Sequence, residues 1–597
     1  MSLIPRQDLD FILFDLLQAG ALLHYPRYQD HSLDTFSQSI DTATQIAERY
    51  FAPHNHLADE KEPWFDGEKV HTIPEVKAAF YHFVDSGLLN ARQDYEDGGM
   101  QLPATIAAAC TAQITAANPS TAGYPFLTMA AANLIAHFAS VGLQQKYLPL
   151  MRSGKATGTM ALTEPDVGSS LADIKTAATP TAQGHYLIRG HKMFISGGDH
   201  DLTDNIVHLV LARIKGAPAG VKGISLFLVP KWLVDDNGQP QQRNDVALAG
   251  LLHKMGYRGT TSTVLNFGEK DQCVGYLIGE AHAGLKYMFM MMNEARIGVG
   301  LGAAVIGYRG YVESLAYARE RPQGRHPGNK DSNSAPIPII EHADVKRMLL
   351  AQKVYAEGAL ALCLYASTLV DTLENSSDDS ERNNARELLD LITPVVKSWP
   401  AEFGCKANEL AIQVLGGCGY TREYPVEQCY RDNRLNPIHE GTHGIQALDL
   451  LGRKLWQNGS AGLKQLGREI MTTIARASAV PALQQETKAL QDALQLVTAL
   501  TGKLGQQLQT QGPDVALANA SVFLSLTGHI VVGWIWLWQA TVAHEKMQGD
   551  AANAGFYKGK LQACRYFFRW ELPQIQHWNQ LLQSEDDTCR TMQNDFF

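Results

Sequence analysis

One carboxylate, in the stretch Asn436-Pro437-Ile438-His439-Glu440-Gly441-Thr442-His443-Gly444-Ile445-Gln446, suits two incompatible chemistries. As a pattern, His439-Glu440-x-x-His443 is H-E-x-x-H, in which two imidazoles four residues apart hold zinc and the Glu activates water. That arrangement needs a continuous helix, because only i and i+4 on one face bring both imidazoles to one ion. Pro437 disfavours the helical region for Asn436, and Gly441 between the two His is about 1 kcal/mol worse than Ala in a helix interior. Gly441-Thr442 followed by Gly-Ile-Gln-Ala-Leu-Asp-Leu-Leu predicts a turn, with Thr442 as the N-cap of a helix beginning afterwards. With 20 His in 597 residues, H-E-x-x-H also arises by chance in roughly a few chains in a hundred. Glu440 is therefore expected on a loop, with no metal. A zinc hydrolase using His439, Glu440 and His443 is the remote alternative.

Two further stretches have the composition of a ligand site. Met160-Ala161-Leu162-Thr163-Glu164-Pro165-Asp166-Val167-Gly168-Ser169-Ser170 mixes backbone donors freed by glycine with hydroxyls, materials that grip a phosphate or a heterocycle edge without a Lys. The same composition also makes ordinary turns. Lys192-Met193-Phe194-Ile195-Ser196-Gly197-Gly198 puts an aromatic and a hydroxyl on one side of a strand, two residues apart.

The elements that must position these residues follow from periodicity. From Phe11 to about Lys155, apolar residues recur three or four apart, as in 106–117 and 130–139, which predicts helices. Between Thr159 and Ile278, short β-branched runs such as 206–211 and 224–229 alternate with turn signals such as Asp236-Asn237-Gly238, predicting an antiparallel sheet domain without intervening helices. Helical periodicity returns from Leu285 to Lys454, broken by a loop over Arg321 to Pro338 and at 416–420. The rest, from about Gly462, is a further helical bundle. Within it, Val515 to His544 contains no Asp, Glu, Lys or Arg and includes Trp534, Trp536 and Trp538. Its polar interruptions at Asn519, Ser521, Ser525, Thr527, His529 and Gln539 predict a buried bundle helix; peripheral membrane association is the alternative.

Composition narrows the function classes. The chain is 45% hydrophobic and 19% charged with net charge -10, and its mean hydropathy is -0.17. These values describe a soluble globular protein of several domains without the basic patch that DNA or RNA would need. Eight scattered cysteines with no C-x-x-C, and acidic residues where an export signal would carry its apolar core, lead us to expect a cytoplasmic protein with free thiols.

Taken in order, these motifs resemble the acyl-CoA dehydrogenase family over roughly residues 80–455. Met160 to Ser169 is similar to its T-E-P-x-x-G-S segment, implying FAD contacts from Met160, Leu162, Thr163, Gly168 and Ser169, with Ser169 also facing substrate. Lys192 to Gly198 resembles the K-x-[WF]-I-[ST] strand, implying that Phe194 and Ser196 flank the flavin. Asn293-Glu294-Ala295-Arg296 resembles the helix whose Arg296 reaches the acyl-CoA. Arg321, and the loop Gln413-Val414-Leu415-Gly416-Gly417, resemble segments that serve the FAD of a neighbouring subunit. Glu440-Gly441-Thr442 falls on the [Y/F]-E-G-T motif. The resemblance makes Glu440 the base that takes the pro-R proton from Cα of the thioester while hydride leaves Cβ for flavin N5, with Gly441 at the substrate and Thr442 at FAD. A rival base position, immediately before the Arg, holds Ala295; Glu294 is about 100° round the helix from it. His439 replaces the usual aromatic residue beside the base.

The implied protein is mainly α with a central antiparallel β domain: helical domain 1–158, β domain 159–280, helical domain 281–460 carrying the base, and helical extension 461–597. The extension resembles that of larger bacterial members, including those acting on 3-methylmercaptopropionyl-CoA and on medium to long acyl chains. The resemblance further implies an acyl-CoA substrate, an electron-transferring flavoprotein as acceptor, and a homodimer in which the extension replaces a second dimer pair. An acyl-CoA oxidase, or a flavin-binding member that does not dehydrogenate, is the alternative within the family. A cytoplasmic site, reaching the inner membrane only peripherally, completes the expectation.

Overall fold

Periodicity in the first 155 residues becomes, among other helices, Ala104–Ala117 (α1) and Pro119–Phe138 (α2). Asn118 starts α2 by accepting the Thr121 N–H at 3.0 Å, and Pro119 fills the first turn, where its missing N–H costs nothing. The computed structural model describes residues 3–331 and 333–597. Met1 and Ser2, at the end read for an export signal, and Ser332, in the 321–338 loop, lie outside the described residues. Periodicity did not predict the non-α turns Phe11–Leu16 and Ala19–His24, nor the short ribbon pairing Trp64–Phe65 with Val70–His71.

The chain divides into two compact units. One comprises Phe36–Leu102 and Gln113–Ala295, the other Met1–Thr35, Pro103–Ala112 and Arg296–Phe597. The first is built on an eight-stranded sheet: Ala156–Ala161 (β1), Ala177–Pro180 (β2), Tyr186–Ser196 (β3), Asn205–Ile214 (β4), Ile224–Pro230 (β5), Val246–Leu251 (β6), Ser262–Phe267 (β7) and Val274–Ile278 (β8). The spatial order is β6-β7-β3-β8-β5-β4-β1, with β2 pairing β3 and β4. Pairing is mostly antiparallel, as expected, but β1 and β2 each join β4 in parallel. Alternate residues of β4 serve different cores. Val207, Leu209 and Leu211 pack with Ala131, Leu134 and Ile135 of α2, whereas Val210 and Ala212 pack with Phe227, Val246 and Phe267. Both faces are covered, which is why this strand reads as an unbroken apolar run.

The second unit is helical. Its long elements are Gly284–Glu320 (α3), which starts in the first unit's sequence, Ala343–Asn375 (α4) and Asp379–Leu415 (α5), followed by Val426–Asn433 (α6) and His443–Gly452 (α7). No helix or strand interrupts the described part of the 321–338 loop; it is closed at its neck by Gln323 N donating to Ile337 O at 2.9 Å and Ile337 N to Gly324 O at 3.1 Å. The extension supplies Ala461–Ala477 (α8), Gln484–Thr510 (α9), Ala520–Met547 (α10), Ala554–Tyr566 (α11) and Gln574–Gln583 (α12). Among the described residues three helices, α3, α4 and α10, are long and apolar enough to cross a membrane by length and composition alone. In α10, however, Trp534 donates to Thr473 Oγ1 of α8 at 2.8 Å and Trp536 to the Val354 carbonyl of α4 at 3.0 Å, both indoles being buried. Most of its apolar surface is spent on neighbouring helices, as a bundle helix requires.

Where α4, α10 and α11 meet the N-terminal segment, polar groups are buried together. Lys560 Nζ lies 2.8 Å from Glu357 Oε2 and 3.0 Å from Gln539 Oε1. It also pairs with Asp8, whose other oxygen accepts from Tyr308 at 2.9 Å. Lys353 pairs with Glu357 from the preceding turn of α4. Two carboxylates and two ammoniums therefore balance, the condition under which charges survive in a core.

Candidate active site

The turn between α6 and α7 takes its shape from Pro437, Gly441 and Thr442. Pro437 lies in a run of turns following α6. Gly441 has φ +92°, and Thr442 caps α7 by accepting the Ile445 N–H at 3.4 Å. No helix runs from His439 to His443. His439 is tied to Asn436 Oδ1 at 3.1 Å. His443, the first residue of α7, lines a cavity of about 390 Å³ with Trp399, Glu402, Lys406, Arg434 and Leu524, and Glu440 does not line it. The face that zinc would need is not formed, and among the described residues no group of three His, Cys, Asp or Glu converges on a metal position.

Glu440 is held in an uncommon way. Its φ is +53°, a left-handed conformation that costs a non-glycine residue on the order of 1 kcal/mol or more. Its carbonyl accepts from Gln446 Nε2 at 3.0 Å. The carbonyls of Asn436 and Gly441 both accept from Lys397 Nζ, at 2.8 and 2.7 Å. Glu440's own N–H and carboxyl make no hydrogen bond among the described residues. The carboxyl is half-buried; burial raises its pKa, and the charges of Arg296 and Lys397 oppose that rise. Arg296 is itself buried and bonded to Asp449 of α7 at 2.9 Å, and Asp449 also takes Arg453 at 2.6 Å. The result is a carboxyl favoured as a proton acceptor, beside a free N–H.

In the sheet unit the other two motifs lie side by side. Residues 163–167 form a tight turn in which Glu164 and Val167 exchange backbone hydrogen bonds of 2.9 and 3.0 Å. Buried Glu164 accepts from Lys175 N, Thr176 N and Thr176 Oγ1 at 2.6–3.0 Å. Lys192 of β3 reaches Glu164 Oε1 at 3.0 Å and the Leu162 carbonyl at 2.8 Å, and Met193 N bonds to Thr163 O at 2.9 Å. A bulge in β3, where its register with β7 shifts between Lys192 and Ile195, turns Phe194 to φ +60° and leaves it 61% exposed. Ser196, Gly168 and Ser169 are exposed, and Met160, Leu162 and Thr163 are half-buried. Elsewhere, exposed Gln413 lies in the last turn of α5, Gly416 caps that helix at φ +61° beside exposed Gly417, and exposed Arg321 follows α3.

Family models match the chain along almost its whole length. They are described as the acyl-CoA dehydrogenase N-terminal domain at residues 35–155, its middle domain at 159–269, its C-terminal domain at 282–455 and an acetyl-CoA dehydrogenase C-terminal-like domain at 466–593. The chain belongs to the acyl-CoA dehydrogenase family. It is 35% identical over 566 residues to 3-methylmercaptopropionyl-CoA dehydrogenase of Ruegeria pomeroyi, covering 94% of this chain and 95% of that one. It is 33% identical over 605 residues to the broad-specificity linear acyl-CoA dehydrogenase FadE5 of Mycobacterium tuberculosis, covering 99% and 97%. An acyl-CoA dehydrogenase from Bacillus anthracis, solved with FAD, shares the fold with a TM-score of 0.74 at 20% identity, over 96% of this chain and 92% of that one.

Within this acyl-CoA dehydrogenase the donor set fits a flavin. A planar ring system needs an aromatic or apolar wall and hydrogen-bond donors along its edge. Here, exposed Phe194 follows Met193, whose N–H bonds to Thr163, and the Thr163 and Ser169 N–H groups have no protein acceptor among the described residues. Lys192, Glu164, Lys397, Gln446 and Asp449 were not singled out from the sequence. The available signal was that Lys192 and Glu164 both lie within the quoted motifs, Lys192 as the one charge in its run and Glu164 beside Asp166 in an otherwise apolar and hydroxylic one.

Proposed function

We propose that the chain is an FAD-dependent dehydrogenase of acyl-CoA thioesters, with Glu440 removing the Cα proton to give the trans-2-enoyl product. The observation that carries this reading is Glu440 itself: a half-buried carboxyl free of hydrogen bonds among the described residues, raised in pKa by burial, on a turn whose Asn436, Glu440 and Gly441 carbonyls are committed to Lys397 and Gln446. A thioester α-proton is too weakly acidic for an ordinary carboxylate. The base must therefore be strengthened by burial and the enolate oxygen met by donors, of which the Glu440 N–H is one. FAD, when bound, supplies the hydride acceptor. Met160, Leu162, Thr163, Gly168, Ser169, Phe194 and Ser196 would hold it from the same subunit, with Thr442 at its edge. Arg321, Gln413, Gly416 and Gly417 would serve the partner subunit's FAD in a homodimer; their exposure supports this.

Arg296 and Gly441 are assigned to the substrate. Asp449 holds the Arg296 guanidinium, whose buried Nε has no hydrogen-bond partner among the described residues. The domain division at 158, 280 and 460, a cytoplasmic site and electron transfer to an electron-transferring flavoprotein belong to the same reading. Eight cysteines without a disulfide support the compartment.

The test is the visible spectrum of purified protein. A flavin spectrum that bleaches on anaerobic addition of acyl-CoA, and a Glu440→Gln variant that keeps its flavin but no longer bleaches, are the expected results. Bleaching by Glu440→Gln at the wild-type rate would overturn the assignment of the base, and rapid peroxide release under air would point to an oxidase.

A further inference from the structure

Lys397 of α5 is fully buried, and no carboxylate pairs with it among the described residues. An ammonium taken from water without a counter-ion costs several kcal/mol, and here burial pulls its pKa down to about 8. Two protons are donated, to the carbonyls of Asn436 and Gly441. Those carbonyls stand at the two ends of the turn that carries Glu440. A carbonyl's direction fixes its peptide plane. With the Glu440 carbonyl on Gln446 as well, the planes on the C-terminal side of Glu440 and Gly441 are both set, which fixes how the chain leaves the left-handed Glu440.

We propose that Lys397 is a positioning residue for the dehydrogenation: by clamping the Asn436 and Gly441 carbonyls it aims the Glu440 carboxyl and N–H at one thioester, and its charge favours the carboxylate. This rests on Glu440 being the base. The other charged or titratable groups around the carboxyl are Arg296 of α3, neutralised in part by Asp449 of α7 with Arg453, and the adjacent His439, which burial keeps neutral. Lys397 is thus the cation near the base that lacks a partner of its own.

The experiment uses holoenzyme of wild type, Lys397→Met, Lys397→Gln and Glu440→Gln. It measures flavin content, kcat and KM, and the pH midpoint of the charge-transfer band formed with a 3-thiaacyl-CoA, a ligand that can lose its α-proton but is not oxidised. Lys397→Met should keep flavin and hold KM within about threefold while kcat falls on the order of 100-fold, and its charge-transfer midpoint should move to higher pH. Lys397→Gln restores donors without charge; it should recover at least about tenfold in kcat over Met while keeping the raised midpoint. Wild-type kcat and midpoint in Lys397→Met, or no recovery in Lys397→Gln, would overturn the proposal. If Lys397→Met does not fold, Lys397→Gln decides: a raised midpoint supports the role and an unchanged one removes it. A charge-transfer band that survives in Glu440→Gln sinks the base assignment instead, so the two failures are distinguishable.

Discussion

Lys192 Nζ lies 3.0 Å from Glu164 Oε1 with both side chains buried, and this ion pair fastens the 163–167 turn to the strand that presents Phe194. Breaking a buried pair from one side leaves an uncompensated charge, a loss of about 3–5 kcal/mol. Lys192→Met should therefore lower the melting temperature and release FAD on dialysis, read as the ratio of flavin to protein absorbance. The double variant Lys192→Met/Glu164→Gln should regain part of both. A single variant that retains its flavin and melts like wild type would show that the pair does not position the turn.

Asp449 neutralises part of the Arg296 charge that acts on Glu440. Glu440 has a raised pKa and must be ionised to act, so kcat/KM should fall as pH drops through that raised value. Asp449→Asn strengthens the field of Arg296, lowers the carboxyl's pKa and shifts this acid limb to lower pH; kcat at the plateau falls because the base is weaker. An acid limb that moves upward or stays in place contradicts this electrostatic reading.

Gly441 has φ +92°, and a Cβ there would meet Gln446 Nε2 at 2.6 Å, the group that holds the Glu440 carbonyl. Gly441→Ala should cost about 1–2 kcal/mol of stability through the backbone. It should reduce kcat at least about tenfold with flavin content unchanged. Unaltered turnover would mean that the Gln446 contact is dispensable.

His529 in α10 is buried against Trp399, Phe403 and Trp578, and burial drops its pKa to about 3. Because the folded value lies below the unfolded one of about 6.5, its contribution is complete above pH 6.5 and is lost as pH falls towards 3. His200 and His208 behave alike in the sheet unit. Each adds up to about 1.4 kcal/mol per pH unit to the decline of unfolding free energy in that window. Denaturant titrations from pH 7 to 4 should show His529→Phe with a slope shallower by about one proton. An unchanged slope would mean that His529 is protonated in the fold.

The fold and the site were not equally legible. Period-3.6 stretches and the β-branched runs announced the helices and the sheet, and Thr442 announced its cap, because each signal lies within a few neighbouring residues. The T-E-P and K-x-F motifs were readable for the same reason. What escaped is set by partners remote in sequence. Lys397 is 39 residues from Asn436 and 44 from Gly441. The bond from Arg296 to Asp449 spans 153 residues, so the motif around Arg296 carries no sign of it. The parallel joining of β1 to β4 and the left-handed turn at Phe194 depend on register, which alternation alone does not specify.

The buried pairing of Asp8 with Lys560 also has a bearing on the order in which the protein can be completed. A ribosome adds roughly 5–20 residues per second, so the N-terminal carboxylate is out for about half a minute to two minutes before its lysine is made. During that interval Asp8 has water as its partner and cannot enter the core as an ion. The segment around Asp8 can therefore complete this buried pairing only after residue 560 has been made, and a chain released earlier would lack the ammonium that pairs with Asp8 in the core.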